Sequence, residues 1–320
     1  MSIITAKFAA AVADSMSTQQ HGRGLSDAQR ALRKTGLGGS EIAAVLGLAT
    51  RTTEDGAVRT GFDVWLSKTQ GFESISTVDA ERGIYLEPSV VEWYLARTGF
   101  ARGMTLGTVR HKTRPVALCT PDALALKPDG VARLVSVKCP RHAHDWGEEG
   151  TDDVPQDYLL QLQHEHAVCS SFMPAGSLDT QMDLACFVGG ELRIYVTHAD
   201  PEQQGWMLDD AEAWWQRHIV EGVTPPLDAS AGARQYLKRK WKPRAEVREA
   251  TAVEAQLMAE LKDARMTMNA ASDEYEVRRR RVEAAIADAA GIVSPLGVVT
   301  WKARKDGVRV FEQRWTKERK

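Results

Sequence analysis

Cysteine is scarce in this 320-residue chain, and its four copies, Cys119, Cys139, Cys169 and Cys186, form no CxxC pair. That spacing argues against a zinc ribbon and against a secreted disulfide scaffold. Long apolar runs are also missing. The stretch Phe8 to Val12 is too short for a leader's apolar region, and nothing approaches a membrane span. A cytoplasmic protein is therefore expected, with no membrane partner. Neither charge sign dominates: the formal net charge is −2, so a nucleic-acid partner would have to be met by a local basic surface. Internal repeats and low-complexity tracts are absent too. What remains is an ordinary globular composition, 43% hydrophobic and 26% charged, able to bury a core without staples.

Along the chain, residues 1–20 are polar and rich in small side chains and read as an N-terminal segment. A helix capped by Ser26 runs to about Lys34 and is broken by Thr35-Gly36-Leu37-Gly38-Gly39-Ser40. Ser40 is placed to cap a second helix carrying Ile42, Val45 and Leu46. Glu81 to Arg97 has helical spacing, with Leu86, Val90, Val91 and Tyr94 on its inner face. Val116 to Leu126 and Val131 to Cys139 alternate like strands around Lys127-Pro128-Asp129-Gly130, a strong hairpin turn. A helix from Pro155 to about Ser170 follows. A second hairpin turns at Gly189-Gly190, and a helix over Glu202 to Glu221 carries Trp206, Trp214 and Trp215. These elements delimit a large α/β domain over residues 21–244. From Ala245 to Ala290 there is no Gly or Pro. An apolar stripe there predicts one long helix, or a helical hairpin broken near Asn269 to Asp273, ended by Gly291. A small hairpin at Lys305-Asp306-Gly307 closes the chain, so residues 245–291 and 292–320 read as two further segments.

The chemistry is concentrated in the first hairpin. Thr120-Pro121-Asp122 lies on one strand and Ser136-Val137-Lys138 on the other. Residues two apart on a strand share a face, so Asp122, position 136 and Lys138 can converge. An acidic oxygen beside an ammonium group suits phosphodiester hydrolysis. Mg²⁺ or Mn²⁺ takes oxygen ligands and activates water, and a lysine offsets charge building on phosphorus. Asp-x(n)-Lys alone, however, also describes an ordinary strand end with a solvated lysine.

The flanking residues are more specific. Arg33 followed by Gly38-Gly39-Ser40-Glu41-Ile42-Ala43-Ala44-Val45-Leu46-Gly47 resembles the opening signature of the YqaJ viral recombinase family, relatives of the lambda exonucleases. Gly83-Ile84-Tyr85-Leu86-Glu87-Pro88 is similar to its second block. Pro121-Asp122-Ala123 with Val137-Lys138-Cys139-Pro140 is similar to the core block, and Tyr158-Leu159-Leu160-Gln161-Leu162-Gln163 to the helix after it. The blocks occur in family order over residues 25–200. The resemblance implies a PD-(D/E)XK nuclease core, a central mixed sheet flanked by helices, with a helical appendage and a C-terminal hairpin. It implies Asp122 and Glu87 as metal ligands and Lys138 as the catalytic lysine. Gln161 and Gln163 would lie over the site, Gln163 being the better match to the glutamine that orients phosphate or water. Arg33 and Ser40 match positions that hold the 5′ phosphate of a DNA end, where glycines and a helix N-terminus favour an anion. Its other implications are a 5′-to-3′ exonuclease on duplex DNA ends, a single-strand annealing protein as partner, and a homotrimeric assembly.

One position departs from the pattern. The family has Glu where this chain has Ser136, and a hydroxyl cannot supply the charge a cation needs. Three explanations stand side by side. The carboxylate has migrated to the following helix, where Glu165 lies one turn after Gln161 and Asp157 one turn before it. Or Asp122, Glu87, a carbonyl and water hold the metal more weakly. Or the protein binds DNA ends without cutting them. Among other signals, Cys139, His142 and His144 lack a fourth zinc ligand at a standard spacing, and His164 and His166 should diverge on their helix. Arg234 to Arg244 interleaves basic and aromatic residues, which fits either a DNA track or a solvated helix end with Tyr236 and Trp241 docked on the core. The tryptophan trio reads as core.

Overall fold

The computed structural model describes residues 25–51, 58–71, 78–103, 106–143, 145–242, 245 and 247–316. The expectations for the N-terminal segment and for His144 fall outside these residues. The chain divides into two compact units, Met1–Lys242 and Pro243–Lys320.

In chain order the first unit contains α1 (Asp27–Arg33), β1 (Leu37–Gly38), α2 (Gly39–Val45), α3 (Gly61–Gln70), α4 (Val78–Thr98), β2 (Ala101–Arg102), β3 (Val109–Arg110), β4 (Ala117–Cys119), β5 (Ala123–Leu126), β6 (Ala132–Lys138), α5 (Gln156–Phe172), β7 (Leu178–Val188), β8 (Glu191–His198), α6 (Pro201–Trp215) and α7 (Ala231–Lys240). A π-helical turn, Gln216–Val220, continues α6. The main sheet is mixed, with strand order β2-β5-β6-β7-β8. Its β5–β6 and β7–β8 pairs are antiparallel and its β6–β7 pair is parallel. A parallel pair needs a crossover, and α5 supplies it.

The expected hairpin forms: Gly130 N–H donates to the Lys127 carbonyl, Lys127 N–H to the Val131 carbonyl, and Asp129 accepts from Val131 N–H. Its first arm is not one strand, however. Ala117–Cys119 belongs to a separate small sheet, β1-β4-β3, and the chain breaks at Thr120-Pro121-Asp122 before β5. Proline has no N–H for a continuous ladder. The break sets Asp122 just ahead of the main sheet.

Both faces of that sheet are covered. Leu134, Met182 and Leu184 pack with Tyr158, Leu162 and Val168 of α5. Val135, Val137 and Ala185 pack with Val90, Val91 and Tyr94 of α4. By alternation Ser136 and Lys138 share the α5 face with Leu134. Trp214 and Trp215 are partly buried against core clusters, but Trp206 is 40% exposed, so the trio is not uniformly core. The basic helix divides the two readings offered for it: Tyr236 docks edge-on against Phe62 and Trp65, whereas Trp241 is exposed.

The second unit holds α8 (Ala252–Ile286), β9 (Gly291–Ser294), β10 (Gly297–Ala303) and β11 (Arg309–Trp315). Helix α8 is continuous through Asn269 to Asp273, so the helical-hairpin alternative fails. It opens with a Thr251/Glu254 capping box and stops at Ala287, ahead of the expected stop, with Gly291 starting a strand. That strand makes the terminal hairpin a three-stranded antiparallel sheet. Among the described residues no helix is long and apolar enough to cross a membrane.

Candidate active site

Asp122 is tied to β6. Its Oδ2 accepts from Val137 N–H at 2.7 Å and from the Ser136 hydroxyl at 3.1 Å. Lys138 Nζ donates to Ser136 Oγ at 2.9 Å and lies 4.0 Å from Asp122 Oδ2. Ser136, fully buried, thus relays a hydrogen bond from the ammonium group to the carboxylate. Lys138 also stands over the Tyr158 ring, its Nζ 5.1 Å from the centroid, and the Arg51 guanidinium lies 4.3 Å from the same centroid. Tyr158 is stacked on Trp146, which fixes this platform.

Two more carboxyls feel this centre. Burial raises Glu165 to about 7, and the Asp122 charge adds to the rise. Lys138, a hydrogen bond from Gln161 and Arg33 partly offset it. Burial likewise raises Glu87 to about 7, again with a contribution from Asp122 and a partial offset by Lys138. Gln161 Nε2 donates to Glu165 Oε1 at 2.7 Å, whereas Glu165 Oε2 is buried with no hydrogen-bond partner among the described residues. No three His, Cys, Asp or Glu side chains among the described residues are gathered into a metal cage. The donor set has the chemistry that a divalent cation takes, without the gathered geometry. It offers hard oxygens, a buried oxygen without a partner, and two carboxyls holding protons that a cation could displace.

Arg33 and Ser40 adjoin this cluster. Arg33 Nη2 donates to Ser40 Oγ at 3.2 Å and Nη1 to Thr120 Oγ1 at 3.4 Å. Two glycines leave room for the side chains packed here. A Cβ on Gly38 would sit 2.8 Å from the Arg33 guanidinium, and one on Gly39 would lie 3.0 Å from Gln161 Cγ and from two Glu165 atoms.

Two expectations need correction. Ser40 does not cap α2; the helix begins at Gly39, and Gly38 occupies the cap position. The Ser40 hydroxyl faces Arg33 instead. Gln163 points away from the site. Its Nε2 donates to the His198 carbonyl, and its Oε1 accepts from Asp200 N–H and Gln204 Nε2. With its amide committed to the loop after β8, it cannot orient a phosphate; Gln161 is the glutamine beside Glu165. His164 and His166 diverge, as expected, to the carbonyls of Leu118 and Asp179. Asp157 is engaged by Thr50 N–H and Oγ1.

Sequence reasoning gave Glu41 no role. It is buried, accepts from Gly38 N–H at 2.9 Å, pairs with Lys68 Nζ at 2.8 Å, and faces Arg59 at 3.5 Å. Burial alone would raise its carboxyl, but these cations and the Gly38 N–H bring it below its ordinary value. Lys68 also donates to the Arg33 carbonyl, so the pair clamps the turn that carries Arg33 and Ser40. The motif hid because a glycine at the cap leaves only half of a capping box to read.

Residues 30–176 match the YqaJ-like viral recombinase domain. The chain is 24% identical over 213 residues to the uncharacterized protein YqaJ of Bacillus subtilis (strain 168), an alignment spanning 65% of this chain and 61% of that protein. Among solved structures it is similar to the alkaline exonuclease LHK-Exo of Laribacter hongkongensis. The TM-score is 0.47 at 18% identity, and 0.46 at 19% for the complex with dAMP, each covering 67% of this chain and 97% of the other.

Proposed function

We propose, from the match of residues 30–176 to the YqaJ-like viral recombinase domain, that this protein is a metal-dependent DNA exonuclease with a PD-(D/E)XK core. It would act on duplex ends, 5′ to 3′, in phage or prophage recombination. The observation that carries this reading is the hydrogen-bonded run Lys138–Ser136–Asp122 with Glu165 and Glu87 electrostatically coupled to it. It favours migration of the missing carboxylate to Glu165 over a site with none.

Asp122, Glu165 and Glu87 would hold Mg²⁺ or Mn²⁺. Once bound, such an ion supplies Lewis acidity toward the phosphate and a more acidic water. The chain's own groups do the rest. Lys138 places a positive charge beside Asp122, where negative charge would grow on the phosphate. The Tyr158 ring fixes the approach of Lys138 and keeps Arg51 close by. Arg33 and Ser40 offer a guanidinium and a hydroxyl to a terminal 5′ phosphate, which would select ends and set polarity. A single-strand annealing protein and a homo-oligomer belong to the same reading.

End-binding without cleavage is the competing reading, favoured by Ser136 and by the ungathered carboxylates. The two separate on 5′-phosphorylated linear duplex incubated with Mg²⁺ or Mn²⁺, with covalently closed circular duplex and EDTA as controls. Nucleotide release from the linear substrate only, lost in Asp122→Asn and Lys138→Ala, is expected. No metal-dependent release by the wild type would remove the enzyme reading.

A further inference from the structure

We infer that the outward face of α7, with Trp241 just past its end, is a track for an unpaired DNA strand. This rests on DNA being the partner, as in the nuclease reading, but not on its cleavage. Between Asp228 and Glu246 the chain has six cations, Arg234, Lys238, Arg239, Lys240, Lys242 and Arg244, and no carboxylate. In a chain of formal net charge −2, this is the local basic surface that a nucleic-acid partner requires.

Helix α7 sorts its residues by face. Ala233 is buried, and Tyr236 and Leu237 are half-buried. Tyr236 lies edge-on to Phe62 and Trp65 of α3, and Gly232 N–H donates to Asp63 Oδ1 at 3.2 Å. A Cβ on Gly232 would come within 2.1 Å of that carboxylate, so the two helices sit close together. The same α3 carries Lys68, which holds the Arg33 carbonyl, so one helix joins α7 to the turn that carries Arg33 and Ser40. The opposite face of α7, with Arg234, Gln235, Lys238 and Arg239, is exposed. Arg234, Lys238 and Lys242 make no ion pair among the described residues.

Helix electrostatics does not account for all of these charges. Cations in a last turn face the negative end of the helix dipole, which explains Lys238, Arg239 and Lys240. Arg234 stands in the N-terminal half, where the dipole disfavours a cation. It also precedes Lys238 by four residues, a like-charge spacing that weakens a helix. Lys242 lies beyond the helix altogether. An anionic strand along this face neutralises all three.

Trp241 decides the kind of strand. Its indole is 60% exposed, and Lys240 Nζ lies 5.0 Å from the Trp241 ring centroid and 5.1 Å from that of Tyr236. An exposed indole among cations is a stacking platform for a base beside a phosphate track. A duplex keeps its bases stacked on one another, whereas an unpaired strand presents theirs. In the nuclease reading, that strand is the one left when its complement is digested.

The test measures binding by the full chain in EDTA, by fluorescence anisotropy of a labelled oligothymidylate with a 5′ hydroxyl, which leaves the 5′-phosphate subsite unused. Arg234→Gln, Lys238→Gln and Lys242→Gln together should flatten the dependence of log affinity on log salt by about 2, from about 0.7 per phosphate contact. Lys262→Gln, Arg265→Gln and Arg281→Gln together, an equal charge change on α8, should leave that slope as it was. Trp241→Ala should weaken binding about tenfold, and Trp241→Phe should recover most of it. Thermal melts should not move, because every substituted side chain is exposed. Three results would overturn the track: no oligothymidylate binding by the wild type, a wild-type slope in the α7 triple variant, or an equal loss in the α8 variant. Tighter binding of a duplex hairpin, with no effect of Trp241→Ala, would overturn the unpaired strand. The expected binding by a wild type that releases no nucleotide with metal would uphold the track and remove the nuclease reading alone.

Discussion

Glu165→Gln should make the protein more stable and less active at once. The substitution keeps the side chain's shape, and the new amide oxygen can still accept from Gln161 Nε2, as Glu165 Oε1 does. It removes an ionisable group whose folded-state pKa stands at about 7 against an ordinary 4.5. That difference favours the neutral form by roughly 2–3 kcal/mol. The sign follows from linkage. Between about 4.5 and 7 the folded chain holds a proton that the unfolded chain has released, so stability falls as pH rises through this window and levels off above it. In EDTA at pH 8, Glu165→Gln should therefore gain up to about 2–3 kcal/mol, or several degrees in melting temperature. Near pH 5 the gain should be small. Mg²⁺-dependent nucleotide release at pH 8 should fall about 100-fold or more. Paired thermal melts at pH 5 and 8 and an end-release assay read both. A gain over wild type no larger at pH 8 than at pH 5 would refute the burial argument, and full activity would remove Glu165 from the metal site.

Three further expectations rest on the same contacts. Divalent-cation affinity should rise between pH 6 and 8, approaching tenfold per pH unit for each proton displaced from Glu165 or Glu87; calorimetry showing a flat affinity would mean that neither is a ligand. Gln163→Leu should cost about 1–3 kcal/mol by leaving the His198 carbonyl and Asp200 N–H without their side-chain partner. Its activity per folded molecule should stay near wild type, and urea melts alongside kinetics would expose the opposite pattern. Lys68→Met should cost about 3–5 kcal/mol because it strands the buried Glu41 carboxylate, with Glu41→Gln in the same chain recovering much of the loss; a single-variant cost under about 1 kcal/mol would show that Arg59 alone suffices.

The sequence by itself determined what local chemistry can determine. Lys127-Pro128-Asp129-Gly130 dictates a tight turn whatever surrounds it, and strand alternation puts Ser136 and Lys138 on one face, so the meeting of Asp122 with Lys138 was legible before any coordinates. The buried stripe of α4 followed from its spacing in the same way. Long-range placement was not legible. Gln161 and Gln163 are two residues apart, roughly 200° around a helix, so only the packing of α5 could decide that Gln161 accompanies Glu165 while Gln163 ties down the loop after β8. Pro121 splits the expected strand by denying the ladder an N–H, but where that leaves Asp122 depended on two sheets forming around it. Glu165 entered the reading as a helix residue one turn from a glutamine. It became a candidate ligand when Gly39, lacking a Cβ, let α2 close onto α5, and burial beside Asp122 changed its affinity for a proton.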